Sequence, residues 1–130
     1  MEKITLTQVG SLPELFMQRV TQTPNTVAYR YFATEQQAWQ DFTWREIAEQ
    51  VARWQAALKQ ENLSPGSRVA IMLRNCPQWV MYEQAALGLG LVVIPLYTND
   101  RPENIAYIVQ DADVKILLMD GALIWPTLKG

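Results

Sequence analysis

The sequence has no histidine and a single cysteine, Cys76. The first absence removes Ser-His-Asp and Cys-His activation of a nucleophile, and with them most zinc sites. The second excludes an internal disulfide framework and fits a reducing compartment. No run of the form Gly-x-x-x-x-Gly-Lys-Ser/Thr occurs, so a Walker-type phosphate loop is excluded. The longest apolar stretch, Ala85 to Tyr97, is too short to cross a bilayer and holds two glycines and a proline, so it reads as core. The first residues, Met1 to Phe16, have neither an apolar h-region nor a small-residue cleavage site, which argues against a secretory signal. Neither sign of charge dominates: 11 Lys and Arg stand against 13 Asp and Glu, a net charge of −2. With no basic cluster, nucleic acid is not an expected partner. There is no internal repeat, low-complexity segment or linker, and one domain is the economical reading.

What is present is a soluble globular composition, 49% apolar and 18% charged. A chain of 130 residues can bury roughly two-thirds of its unfolded surface. The segment Pro65 to Tyr97 is the most informative. Pro65-Gly66 is a turn signal, since Pro presets φ and Gly accepts positive φ. Val69 to Leu73 is continuously apolar, as in a strand buried on both faces of a parallel sheet. Pro77 suits the first position of a helix, with Cys76 as a weak N-cap. The helix continues through Val80, Tyr82 and Leu87, and Gly88 and Gly90 end it. Leu91 to Ile94 follow as the next buried strand, stopped by Pro95. Strand, helix, strand with short joints is a βαβ unit, and it sets the class as α/β.

The flanks are legible more coarsely. Ser11 is a candidate N-cap for a helix over Leu12 to Thr21, with Leu12, Leu15, Phe16 and Val20 on one face. Val27 to Phe32 alternates like a half-exposed strand. It turns at Glu35-Gln36-Gln37 and returns antiparallel over Trp39 to Phe42. Thr43-Trp44-Arg45-Glu46 is a capping box, opening a helix that runs to about Gln60 with Ile47, Val51, Trp54 and Leu58 on one stripe. Asn62 is a terminator. Asp100-Arg101-Pro102-Glu103 predicts a second capping box with Asp as the cap, and Ile105, Ile108 and Val109 the buried face behind it. Val114 to Met119 is the last clear strand. The tail from 122 to 130 carries no decisive signal. The expected fold is therefore a partial Rossmann-like subdomain, with a mainly parallel sheet flanked by helices, plus an N-terminal helix and β-hairpin.

Several residues invite a chemical reading. Asp100, Glu103, Asp111 and Asp113 cluster in sequence and could form an acid–base pair. Exposed carboxylates are the norm, however, and a cap, a helix surface and a turn account for them. Gly88-Leu89-Gly90 resembles part of a dinucleotide fingerprint. That fingerprint needs its glycines after a strand and before a helix, and here the order is reversed. Cys76 sits where a helix dipole lowers a thiol pKa, so a reactive cysteine competes with an N-cap substitute packed near the core, the favoured reading. Trp39, Trp44, Trp54, Trp79 and Trp125 could form a ligand platform. Trp54 lies on an apolar stripe and reads as core. Trp79 and Tyr82 face another side of their helix from Val80, and covering a partner surface is an open alternative there.

The order of these motifs resembles the opening of the AMP-forming acyl-CoA synthetases, the adenylate-forming superfamily. Thr43 to Ile47 matches that family's Thr-aromatic-x-Glu-Ile/Leu helix start. Pro65 to Asn75 matches its Pro-Gly-Asp-Arg-Val turn and strand, and Pro77-Gln78-Trp79 its Pro-x-Trp helix start. Ala86 to Tyr97 matches the segment that ends in Pro-Leu-Tyr, and Glu103 to Ile108 the helix after it. Leu12 to Ala28 fits the usual opening. Each piece is weak alone, and the ordered series covers nearly the whole chain. Ser67 departs from the usual Asp, and Leu89-Gly90-Leu91 is bulkier than usual.

The family's Ser/Thr/Gly-rich phosphate loop, adenine-binding stretch, ribose-binding Asp and catalytic Lys have no counterpart among these 130 residues. The resemblance therefore implies residues 1–130 as an N-terminal subdomain fragment with no catalytic, cofactor-binding or metal-binding residue of its own. The parent would activate a carboxylic acid with ATP and Mg2+, then pass the acyl group to CoA. Leu12 to Phe16 and Pro95-Leu96-Tyr97 are most like the long-chain fatty-acid members. The expected partners are the rest of the ligase and a fatty acid, with self-association through an uncovered apolar face. The expected location is cytoplasmic, with peripheral attachment to the inner face of a membrane left open. None of these cofactors is expected to bind the fragment tightly. The competing expectation is a free-standing α/β binding or interaction module derived from the same fold.

Overall fold

A computed structural model describes residues 2–121, so the tail reading and Trp125 lie outside the described residues. The elements follow in the order α1 (Leu12–Gln22), β1 (Val27–Ala33), β2 (Ala38–Thr43), α2 (Trp44–Lys59), β3 (Arg68–Met72), α3 (Pro77–Gly88), β4 (Val92–Pro95), α4 (Pro102–Asp111) and β5 (Val114–Met119). The hairpin β1–β2 is antiparallel, and β4-β3-β5 form a parallel three-stranded sheet. The α/β class with a mainly parallel sheet is as the sequence predicts.

The centre of the molecule is β3. Side chains alternate across a strand, so its four buried residues divide between two layers. Val69 and Ile71 pack with Ile47, Val51 and Leu58 of α2 and with Met81, Tyr82, Ala85 and Ala86 of α3. Ala70 and Met72 pack on the other face with Leu96 and with Ile105 of α4. That two-sided burial is why β3 reads as an unbroken apolar run. The alanines of α3 let α2 approach closely, and the Gln55 amide donates to the Ala85 carbonyl at 3.3 Å.

The joints follow from local chemistry. Ser64 to Ser67 is a β-turn closed by the Ser67 amide on the Ser64 carbonyl at 3.0 Å, with Pro65 second and Gly66 third at φ +87°. Helix α3 ends in a Schellman arrangement. Gly90 takes φ +74°, its amide donates to Leu87, and the Leu91 amide donates back to Ala86. The Gly66 amide then bonds the Gly90 carbonyl at 2.8 Å and ties the two joints together. Gly88 is the last helical residue, and a Cβ there would meet the Gln55 amide at 2.3 Å. Both glycines therefore serve a helix end.

Three expectations are corrected. The β4 strand, expected to be buried, is a partly exposed one at the sheet edge among the described residues, with Val92 46% exposed. Leu91 is buried, but as the residue closing the α3 cap. Pro95 ends the strand, where a missing N–H is tolerated. The capping box at Asp100 does not form. Pro102 occupies the first helical position, so the cap falls on Arg101 and Asp100 lies one residue too early. Its carboxylate instead accepts from the Arg101 amide at 2.7 Å and the Asn104 amide group at 2.8 Å. On α1 only Phe16 of the predicted apolar face is buried; Leu12 is 62% and Leu15 39% exposed.

The Thr43 box does form. The Thr43 hydroxyl accepts from the Glu46 amide at 3.2 Å, and the Glu46 carboxylate accepts from the Thr43 amide at 2.7 Å. Thr43→Ala is expected to lower stability by about 1 kcal/mol, read as a lower urea midpoint with unchanged slope. Aromatic contacts join this helix start to its neighbours: the Trp44 ring lies 6.2 Å from Phe16 and 5.9 Å from Tyr29.

Candidate functional site

Ligands of open parallel sheets gather beyond the carboxyl ends of the strands. At that edge the chain leaves β3 through Leu73, Arg74 and Asn75, and leaves β4 through Leu96 to Asn99. These loops, with Trp79 and Pro95, enclose a groove of about 860 Å³. Asn75 and Trp79 also line a neighbouring cleft of about 520 Å³, which adds Tyr29 to Phe32 of the hairpin and Cys76, Pro77 and Val80 of the α3 start. Pro77 at the first helical position fixes where Trp79 projects, between the two spaces.

The groove carries one guanidinium, from Arg74, two side-chain amides, two hydroxyls and an indole wall. It holds no carboxylate, lysine or histidine. Such a set can bind and orient an anionic or flat group. It supplies no general base beside a nucleophile. The sequence offered Arg74, Asn75 and Tyr97 only as parts of family motifs, not as site residues, and did not mark Thr98 or Asn99 at all. The signal for them lies in the βαβ order, which brings the ends of two parallel strands side by side.

The residues that had invited chemistry do not converge. Asp100 is held by its own turn, and Glu103 is exposed on α4. Asp111 is exposed at the last position of α4. Asp113 accepts from Lys115 at 3.0 Å and pairs with Arg68 at 3.2 Å, and the Lys115 hydrogen bond is the main reason its carboxyl sits below the usual range. Arg68 also donates to the Ala112 carbonyl at 2.7 Å, so this cluster fastens β3 to the α4–β5 joint. No group of three potential metal ligands occurs among the described residues. Cys76 is half-buried, lines the smaller cleft and makes no side-chain cap bond.

The aromatics divide in the same way. Trp54 meets Tyr82 edge-on at 5.6 Å, as core. Tyr82 is 1% exposed, so it cannot cover a partner surface. Position along the helix placed it off the Val80 side, but α2 covers that side too. Burial pushes its phenol up to about 12. Tyr29 is also raised, first by burial and then by the Glu83 charge, and burial raises Glu83 itself. Phe32 and Trp39 pair edge-on at 5.6 Å on the hairpin and are 46% and 66% exposed.

Comparison with known proteins gives consistent results. The family described as AMP-binding enzyme matches residues 16–129. Long chain acyl-CoA synthetase 1 of Arabidopsis thaliana is 34% identical over 77 residues, which is 59% of this chain and 12% of that protein. Long-chain-fatty-acid–CoA ligase 6 of Mus musculus is 29% identical over 91 residues, 68% of this chain and 13% of that protein. The chain thus spans about an eighth of the length of these relatives. Among solved structures, the N-terminal subdomain of Klebsiella oxytoca NpsA superposes with a TM-score of 0.75 at 26% identity, covering 86% of this chain and 28% of that one.

Proposed function

Because the chain belongs to the AMP-binding enzyme family, we propose that it forms the opening part of an ATP-dependent ligase that joins a long-chain fatty acid to CoA. The observation that carries this reading is the match to long-chain acyl-CoA synthetases over 59% and 68% of the chain. In the whole enzyme a fatty-acid carboxylate oxygen would attack the α-phosphorus of ATP and release pyrophosphate. The CoA thiol would then attack the acyl carbonyl, losing its proton and expelling AMP. Both steps depend on positioning and on stabilising charge on oxygen.

In this reading residues 1–130 are scaffold. The strand-end groove has one guanidinium and no carboxylate. It therefore does not fit Mg2+-ATP by itself, and later segments would hold ATP, Mg2+ and CoA. The exposed Phe32–Trp39 pair and the half-buried edge strands suit contact with those segments, and exposed alone they favour self-association. No helix among the described residues is long and apolar enough to cross a membrane.

ATP–pyrophosphate exchange tests the reading. The 130-residue chain alone is expected to give none with any fatty acid. The same chain continued through the family's phosphate loop, adenine-binding stretch, ribose-binding Asp and C-terminal lysine is expected to exchange, fastest with long-chain acids. Exchange by the short chain would overturn the scaffold role, and a long form indifferent to fatty acid would overturn the ligase assignment.

A further inference from the structure

Four buried side-chain polar atoms among the described residues lack a hydrogen-bond partner: Arg19 Nη1, Trp44 Nε1, Tyr82 Oη and Gln84 Oε1. Three of these four residues, Arg19, Trp44 and Gln84, line a single cavity of about 290 Å³ between α1, β1, the start of α2 and α3. It shares no residue with the strand-end groove. Its other walls are Leu12, Leu15, Phe16 and Tyr29. The polar groups are held in place: Arg19 Nη2 donates to the Glu2 carbonyl at 2.8 Å, and the Trp44 indole is fixed between Phe16 and Tyr29.

Leaving a buried donor or acceptor unsatisfied is costly, so native proteins give such groups partners. Water would satisfy the three atoms but would leave the leucines wet. Those are the two residues of the α1 stripe that fail to enter the core, Leu12 at 62% and Leu15 at 39% exposed. Exposed apolar side chains beside buried, fixed polar groups are the composition of a small-molecule site.

We propose that this cavity binds a small carboxylic acid with an apolar side chain and a hydroxyl or amide N–H next to the carboxylate. Arg19 Nη1 and Trp44 Nε1 are donors, one of them cationic, and a carboxylate accepts both in charge-assisted hydrogen bonds. Gln84 Oε1 accepts from the neighbouring hydroxyl or N–H. Leu12 and Leu15 cover the side chain. No acidic residue lines the cavity, so nothing in its wall repels the anion.

The test uses the protein with 15N-labelled tryptophan indoles, titrated with 2-hydroxy-4-methylpentanoate. The Trp44 signal, identified by its loss in Trp44→Phe, is expected to shift while the other indole signals stay in place. Arg19→Gln is expected to weaken binding roughly tenfold, the loss of one charge-assisted hydrogen bond, with the remaining indole signals reporting an intact fold. The corresponding amide should not bind, and 4-methylpentanoate should bind several-fold more weakly. Absence of a Trp44 shift up to about 10 mM, beyond the weak end of specific binding, would overturn the site. So would equal binding of the amide, or unchanged affinity in a folded Arg19→Gln. Equal affinity for the two acids would overturn the donor-bearing class of ligand.

Discussion

Ile71→Ala is expected to cost about 2–5 kcal/mol of folding stability, the range for deleting the side chain of a fully buried isoleucine. Ile71 is 0% exposed and lies in the middle strand, flanked by β4 and β5, with the α2 and α3 side chains above it. The substitution leaves the backbone ladder intact and removes only side-chain volume. Two terms then add: the lost transfer of the deleted carbons and the cavity left behind. The cavity cannot close easily. Helices α2 and α3 are held against each other by the Gln55–Ala85 hydrogen bond and the Trp54–Tyr82 contact, so neither can settle onto the strand without breaking one of these. For a domain whose total stability is about 5–15 kcal/mol, this is a large fraction. Val92→Ala supplies the contrast. It removes a β-branched residue from the same sheet, but one 46% exposed on an edge strand, and about 0.5 kcal/mol or less is expected. Urea unfolding of the two variants, with unchanged slopes, measures the difference. Equal losses would mean that the core is not centred on β3.

The same contrast explains what could be read from the residues. An apolar run bounded by a turn and a helix-starting proline specifies β3 and α3, because each of those signals is local. The run Leu91 to Ile94 looks alike in sequence yet lies at an edge. Which strand is central depends on pairing order, and no local pattern encodes that. Helix α1 shows a second limit. Its periodicity marks an apolar face, but whether Leu12 and Leu15 are covered depends on which elements arrive from elsewhere. Asp100 shows a third: the spacing to Glu103 suits a capping box, and the intervening Pro102 moves the cap by one residue. The strand-end groove was legible only as topology. Its residues, Arg74, Asn75 and Thr98 among them, are ordinary loop residues until the parallel order of β3 and β4 places them together. The cavity under α1 had no sequence signal, since its polar groups come from three separate helices.

Tyr82→Phe is expected to change how stability depends on alkaline pH. Tyr82 is 1% exposed, its hydroxyl has no hydrogen-bond partner, and burial alone raises its phenol from an ordinary value near 10 to about 12. The ionised form is disfavoured in the folded protein and free to form in the unfolded chain. A group whose folded pKa is raised contributes stability that is fully present below the unfolded value and is lost as pH rises through the folded one. The natural protein should therefore lose stability between about pH 10 and pH 12 through this residue, and Tyr82→Phe should remove that part of the loss. Tyr29 is raised as well, by burial and then by Glu83, so some decline should persist in the single variant and shrink further in Tyr29→Phe/Tyr82→Phe. At neutral pH the Tyr82 change should be neutral or stabilising. It deletes an unpaired buried hydroxyl while keeping the ring that meets Trp54 edge-on. Urea midpoints at pH 7 and at steps above pH 10 distinguish the cases. If both proteins lose stability in parallel above pH 10, the hydroxyl reaches solvent, and the contact between α2 and α3 is looser than the close packing at Ala85 requires.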